Sequence, residues 1–269
     1  NCPVTVRVTS WKGVPRREVR IEVDNSATNH RLRALFETGR GSCVVAGGQF
    51  DVIERAPLVQ ETSEGASPFF PMTLWVDAET DAGSPNLTVI APGLHEYEPY
   101  RAFDGTVGQI GITLLRCVGQ LSARGDGPGI STPGAQCPGK HVFDLAVCEH
   151  AGDWQTDEVW RQAHQFACPL VTAQAPIRAE VPRCRSFLSV TPASLVVTAL
   201  KRAEDRDTLI VRFYNTTESA VEEGCVTIMG ASAWRRVNLN EEALEDWTGG
   251  SQATMQVHPK EIVTMEFQL

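Results

Sequence analysis

Residues 107–118 place Ile110, Ile112, Leu114 and Val118 on one parity and Gly111, Thr113 and Leu115 on the other. Only Gln109 and Arg116 are strongly polar in that run. Side chains alternate across a pleated sheet with period two, so the pattern predicts a long strand with both faces partly buried. Polar loops are expected on either side of it. The earlier one holds His95, Glu96, Tyr97, Glu98, Tyr100 and Arg101, and the later one Arg124 and Asp126. A rigid apolar strand with charged, aromatic loops at its ends is one way to build a ligand-facing rim, and surface loops without a ligand are the plainer reading.

The same alternation recurs along the chain. Residues 4–9 and 18–24 read as half-buried antiparallel strands, the second with Val19, Ile21 and Val23 against Glu18, Arg20, Glu22 and Asp24. Residues 30–36, 49–54, 72–76, 87–90 and 142–148 continue the series between Gly, Pro, Ser and Asp clusters. Turn signals recur about every eight to twelve residues, which points to a sandwich or barrel and not to βαβ units. Residues 126–140, broken by Pro128, Pro133 and Pro138, read as an extended loop.

One helix is expected, over residues 156–168. Thr156 would cap it, Asp157 and Glu158 suit its positive end, and Pro169 stops it. Val159, Ala163, Phe166 and Ala167 share a face that would lie on a sheet. After Pro182 a second run of short strands begins, so the chain reads as all-β with two domains, 1–190 and a smaller lobe at 191–269.

Composition narrows the partners. The 269 residues carry 24 basic and 33 acidic side chains, a formal net charge of −9. A duplex or an anionic membrane surface would be repelled, so neither nucleic acid nor a membrane is an expected partner, while neutral sugars are compatible. No apolar run approaches the roughly 20 residues that span a bilayer. The opening Asn-Cys-Pro shows no leader peptide and suggests that the natural N-terminus lies elsewhere. The eight cysteines are scattered without a Cys-x-x-Cys pair, which favours reduced thiols and a cytoplasmic setting. Asn86-Leu87-Thr88 and Asn215-Thr216-Thr217 fit the glycosylation pattern, which matters only in a secreted protein.

No complete catalytic set is present. Glu96 and Glu98 on an extended segment would point the same way, roughly 6.5–7 Å apart, near the separation that acid/base carboxylates use in glycoside cleavage. A Glu-x-Glu on a solvated strand face is equally ordinary. The six histidines make no metal-binding pattern, and Cys148-Glu149-His150 lacks a third, orienting group. Nucleotide-binding glycine motifs and serine nucleophile elbows are missing. Trp75, Tyr97, Tyr100, Trp154 and Trp247 can stack on sugar rings or pack in a core. Arg101, Arg116 and Arg124 can donate to sugar hydroxyls or form ion pairs.

Several segments together resemble the C-terminal β portion of glycoside hydrolase family 38, the α-mannosidase family. They are VDNSATNHRLRALFETG (23–39), QFDVIERA (49–56), GLHEYE (93–98), ITLLRCVGQLSARGD (112–126), TPGAQCPGKHVFDLAV (132–147), ALKRAEDRDTLIVRFYNTTESAVE (199–222) and PKEIVTMEF (259–267). They occur in the family's order over nearly the whole chain. The resemblance implies a galactose-mutarotase-like supersandwich followed by a smaller β-sandwich lobe. It also implies a retaining, zinc-dependent α-mannosidase whose zinc, nucleophile and acid/base carboxylate sit on an upstream catalytic barrel.

The family's metal-binding His-x-Asp motif is absent, so this chain by itself is expected to be non-catalytic and to carry no cofactor. Its expected partners are that N-terminal barrel and an α-mannoside, with homo-oligomerisation left open. The resemblance assigns Arg124 to the rim of the sugar site; Arg116, Glu96 and Tyr97 complete the candidate substrate-binding set. The alternatives are a stand-alone carbohydrate-binding or assembly module and, on fold analogy, a mutarotase-like aldose epimerase.

Overall fold

The computed structural model describes residues 2–41, 43–55, 60–62, 65–67, 69–80, 84–101, 106–122, 127–174, 182 and 184–269. The chain divides into two compact units, Asn1–Gln49 with Ile53–Val171, and Phe50–Val52 with Thr172–Leu269. Among the described residues the regular structure is almost all antiparallel strand, with one short α-helix.

Thirteen strands fall within residues 4–150: β1 (Val4–Ser10), β2 (Arg16–Asn25), β3 (Arg31–Gly41), β4 (Cys43–Gly47), β5 (Val52–Arg55), β6 (Gln60–Thr62), β7 (Gly65–Ser67), β8 (Phe70–Pro71), β9 (Trp75–Glu79), β10 (Asn86–Ile90), β11 (Glu96–Arg101), β12 (Val107–Arg116) and β13 (Gly139–His150). A seven-stranded sheet has the order β1-β2-β13-β10-β9-β4-β5, and a four-stranded sheet the order β3-β12-β11-β8. Ile21, Val23, Val76, Val89 and Leu145 from the first share one core with Tyr97, Val107, Ile110, Ile112 and Leu114 from the second. The two sheets are therefore layers of a sandwich, each burying one side of its period-two pattern.

β12 is the strand that the pattern predicts, and it lies between β3 and β11. Residues 96–101, expected as loop, are a strand. Tyr97 pairs with Ile112 and Glu98 with Gly111, so the carboxylates alternate outward while the tyrosine turns inward. β1 also departs from expectation. Every residue of it except Thr9 is exposed, because it is the outermost strand of a seven-stranded sheet whose partner layer has only four.

The helix, α1 (Val159–Ala167), starts later than its sequence suggests. Asp153 Oδ1 accepts from the backbone N–H groups of Gln155, at 2.9 Å, and Thr156, at 2.7 Å, and so holds the chain in turns. Glu158 is in the left-handed region at φ 47°, so the helical run begins only after it and Thr156 caps nothing. Val159 and Ala163 are buried. Residues 126–140 also hold a short 3₁₀ turn, Pro133–Gln136.

The second unit contains a three-stranded and a five-stranded sheet around a core that includes Val211, Phe213, Val226, Val257, Met265 and Phe267. Within it Lys260 Nζ meets Asp51 Oδ1 at 2.9 Å and the carbonyl of Thr216 at 3.0 Å, which fixes the 50–52 segment in place. All eight cysteines are free; Cys117 and Cys148 are buried, Cys168 and Cys184 exposed. Among the described residues no helix is long and apolar enough to cross a membrane.

Candidate functional site

The outward side of the four-stranded sheet gathers most of the candidate polar groups. On β3 Arg31, Arg33, Leu35 and Glu37 share the parity opposite the core-packed Leu32, Ala34 and Phe36. They meet Thr113, Gly111 and Gln109 on β12, and Glu98 and Tyr100 on β11. Arg31 Nη1 lies 3.2 Å from Glu96 Oε1, Arg33 Nη1 pairs with Glu98 Oε2, and Thr113 Oγ1 donates to Glu96 Oε1 at 2.6 Å. The Arg31 guanidinium sits 3.9 Å from the Phe69 ring centre, and that of Arg33 5.1 Å from the Tyr100 centre. Gly111 makes room for this layer: a Cβ there would come within 2.7 Å of the Tyr100 ring and 3.1 Å of Leu35 Cδ2.

Glu96 and Glu98 thus face one way, as their spacing implies, and each is held by an arginine of β3. Thr113, Phe69 and the two arginines were not singled out in the sequence. The signal that could have found them is the matching period of Arg31-x-Arg33 and Glu96-x-Glu98, which only strand pairing through β12 brings together.

Tyr97 lies on the other side of β11 and is fully buried. Its hydroxyl accepts from Arg55 Nη1 at 3.0 Å and its ring packs 5.8 Å from that of Phe70. Burial pushes its pKa up against the opposing pull of Arg55. Tyr97→Phe is expected to cost about 1 kcal/mol through the lost hydrogen bond, read as a shift in the urea midpoint at unchanged slope.

Arg116 ends β12 and is exposed. With Asn29, Gly119 and Ser122 it lines a hollow of about 630 Å³. Amide pairing holds Asn29 in place. Gln136 Nε2 donates to Asn29 Oδ1 at 2.8 Å, and the Asn29 backbone N–H donates to Gln136 Oε1 at 2.8 Å. The buried Asn25 holds the Gln136 and Cys137 carbonyls at 3.0 and 2.7 Å. Arg124 lies outside the described residues, as does the Arg101 side chain. The structure therefore brings Arg116 and Glu96 to the same end of one layer, where Arg31 stands directly opposite Arg116 and meets Glu96, and it takes Tyr97 into the core.

A second polar cluster lies on the outward side of the seven-stranded sheet, beneath the segment that carries α1. Asp77, fully buried, accepts through Oδ1 from Thr88 Oγ1 at 2.7 Å and faces His150 Nε2 at 2.9 Å. His150 Nδ1 faces the Gly152 carbonyl at 2.9 Å and Asp157 Oδ2 at 3.4 Å. Burial alone would lower the His150 pKa, but the Asp77 carboxylate, the Gly152 carbonyl and Asp157 together raise it. Burial and the neighbouring carboxylates raise the Cys148 pKa, and its thiol donates to the Pro15 carbonyl at 3.3 Å. A thiol held protonated in this way is a poor nucleophile. Among the described residues no group of three or more His, Cys, Asp or Glu is placed to hold a metal ion.

Residues 194–265 match the family model described as the glycosyl hydrolases family 38 C-terminal beta sandwich domain. Over 273 aligned residues the chain is 29% identical to a putative mannosylglycerate hydrolase of Halalkalibacterium halodurans, covering 98% of this chain and 29% of that protein. An α-mannosidase structure from Enterococcus faecalis V583 superposes with a TM-score of 0.80 at 27% identity, over 98% of this chain and 29% of that one. A glycosyl hydrolase family 38 protein structure from Enterococcus faecalis superposes at 0.77 with 25% identity, over 98% and 30%. The chain spans less than a third of the length of each of these relatives.

Proposed function

We propose that the chain is a C-terminal β region of a glycoside hydrolase family 38 enzyme and that it walls the sugar site of a larger retaining, zinc-dependent α-mannosidase-type protein. The observation that carries this reading is the superposition of 98% of the chain on less than a third of an α-mannosidase. In this reading the zinc belongs to polypeptide outside this chain. There it would act as a Lewis acid and template on the sugar hydroxyls. In this reading residues 1–190 are the mutarotase-like supersandwich and 191–269 the terminal lobe.

The part assigned to this chain is binding and orientation. Arg116, on the rim of the hollow, and Arg124, which lies outside the described residues, would donate hydrogen bonds to substrate hydroxyls or to an anionic aglycone. Glu96, held by Arg31 and Thr113, stands ready as an acceptor on the same layer.

Activity assays test the proposal. The 269-residue chain is expected to leave aryl α-mannosides intact, and the longer encoded protein to cleave them in a zinc-dependent way. Cleavage by the chain alone would overturn the reading. In the longer protein Arg116→Ala is expected to raise KM about tenfold, the loss of one charge-assisted hydrogen bond, while the thermal midpoint stays in place.

A further inference from the structure

Arg31 and Arg116 stand side by side at one end of the four-stranded sheet, and their charge is not balanced there. They are directly opposed in the register of β3 and β12, so both side chains leave the same side of the sheet, from Cβ atoms roughly 5 Å apart. Like charges placed in this way destabilise a strand pair. Two residues along β3, Arg33 has the neutral Thr113 opposite it and pairs with Glu98. For Arg31 and Arg116 together the described residues supply one carboxylate, Glu96. It serves Arg31 incompletely. Arg31 Nη1 lies 3.2 Å from Glu96 Oε1 without forming a hydrogen bond, and that oxygen already accepts from Thr113 Oγ1. The Phe69 ring, 3.9 Å from the Arg31 guanidinium carbon, covers one face of the group and leaves its edge donors available. Arg116 makes no ion pair among the described residues and borders the hollow of about 630 Å³, a size suited to a small ligand. The chain as a whole carries a net charge of −9, so this local excess of positive charge is not part of a generally basic surface.

We infer that Arg31 and Arg116 clamp a carboxylate on the aglycone of the glycoside, with the hollow taking the rest of that aglycone, and so select acidic over neutral substrates. The inference rests on the functional reading above. A guanidinium presents a planar fork of donors that matches the two oxygens of a carboxylate, and bonds of this kind are roughly twice as strong as neutral ones. One anion between the two groups relieves their repulsion and uses the Arg31 donors that Glu96 leaves free. It also brings the count on this side of the sheet to three carboxylates, with Glu96 and Glu98, for Arg31, Arg33 and Arg116. A neutral aglycone leaves the two cations facing each other, so the discrimination comes from the charge itself.

The test compares kcat/KM of the longer encoded protein for the α-mannosides of lactate and of lactamide, which differ by one charge. Their ratio cancels any loss common to both substrates. It is expected to exceed about ten in the wild-type protein and to fall to about one in Arg116→Ala and in Arg31→Ala, the worth of one charge-assisted bond. Arg31→Lys keeps the charge and should retain part of the preference. Salt at about 1 M should lower the wild-type ratio severalfold, because it shortens the Debye length to about 3 Å. A wild-type ratio near one, with both glycosides cleaved, overturns the clamp and leaves the functional reading standing. A ratio that neither alanine substitution changes does the same. Inhibition by inorganic phosphate that depends on Arg116 and is stronger than inhibition by free lactate overturns the carboxylate in favour of a phosphate. If the longer protein cleaves neither glycoside, calorimetric titration with lactate decides the matter: binding that Arg116→Ala abolishes supports the clamp while the functional reading falls alone, and no binding takes both down.

Discussion

His150→Ala is expected to destabilise the first unit by about 3 kcal/mol, because it strips a buried carboxylate of its charged partner. The Gly152 carbonyl can only accept, so His150 Nδ1 must carry a proton. The Asp77 carboxylate can likewise only accept, so Nε2, 2.9 Å from its Oδ1, also donates and the imidazole is best satisfied as a cation. Removing it leaves Asp77 buried with Thr88 alone, since Asp77 Oδ2 has no partner among the described residues.

The pH dependence follows from the direction of the shift. A histidine whose folded pKa is raised contributes stability that is fully present below its unfolded value, about 6.5, and lost as pH rises through the raised value. The urea midpoint of the wild-type chain should therefore fall as pH rises above that point, and the alanine variant should lose this slope. Asp77, Asp157, Asp153, Glu79 and Cys148 are the other ionisable groups around the site, and the bonds from Thr156 and Gln155 hold Asp153 below the usual carboxylate range. Adding Asp77→Asn to the alanine variant is expected to recover part of the loss, because no buried charge then remains unpaired. A midpoint in His150→Ala equal to wild type would show that the pair is not a cation and an anion.

Glu266→Ala should cost the second unit a similar amount, about 3 kcal/mol. Glu266 is fully buried, with Arg206 Nε at 2.8 Å, Arg235 Nη2 at 2.7 Å and Thr208 Oγ1 at 2.6 Å. Both guanidinium groups keep some exposure and can recover water, which holds the expected loss near the lower end for a broken buried pair. Glu266→Gln, which keeps shape and loses charge, should cost roughly half as much. Burial alone would raise the Glu266 pKa, yet the bonds from Arg206, Thr208 and Arg235 hold it below the usual carboxylate range. The stability it brings is therefore present above about 4.5 and lost as pH falls through the lowered folded value. Arg235 also lies 4.3 Å from the Trp247 ring centre, so tryptophan emission should report its release in the variants.

Period-two alternation was enough to mark β12, β2 and β13 as strands and to read the chain as sheet, because a strand's two sides differ locally in polarity. The turn chemistry was enough to separate these runs, and the order of matching segments was enough to suggest the family. Neither pattern could say that Tyr97 belongs to the core. The polarity of Glu96, Glu98 and Tyr100 reads as loop until Arg31 and Arg33, more than sixty residues earlier, are set against them. The cluster of Asp77, Thr88 and His150 was equally hidden, since its members come from three strands and each alone resembles an ordinary polar residue.

What the residues alone determined is therefore the local alternation and the chemistry available on each side of a strand. Which side meets protein and which meets water was decided by tertiary structure. β1 shows why: its valines have the spacing of core residues, and only the narrower facing sheet leaves them uncovered. Burial is a property of what lies opposite, and that partner is far away in the chain.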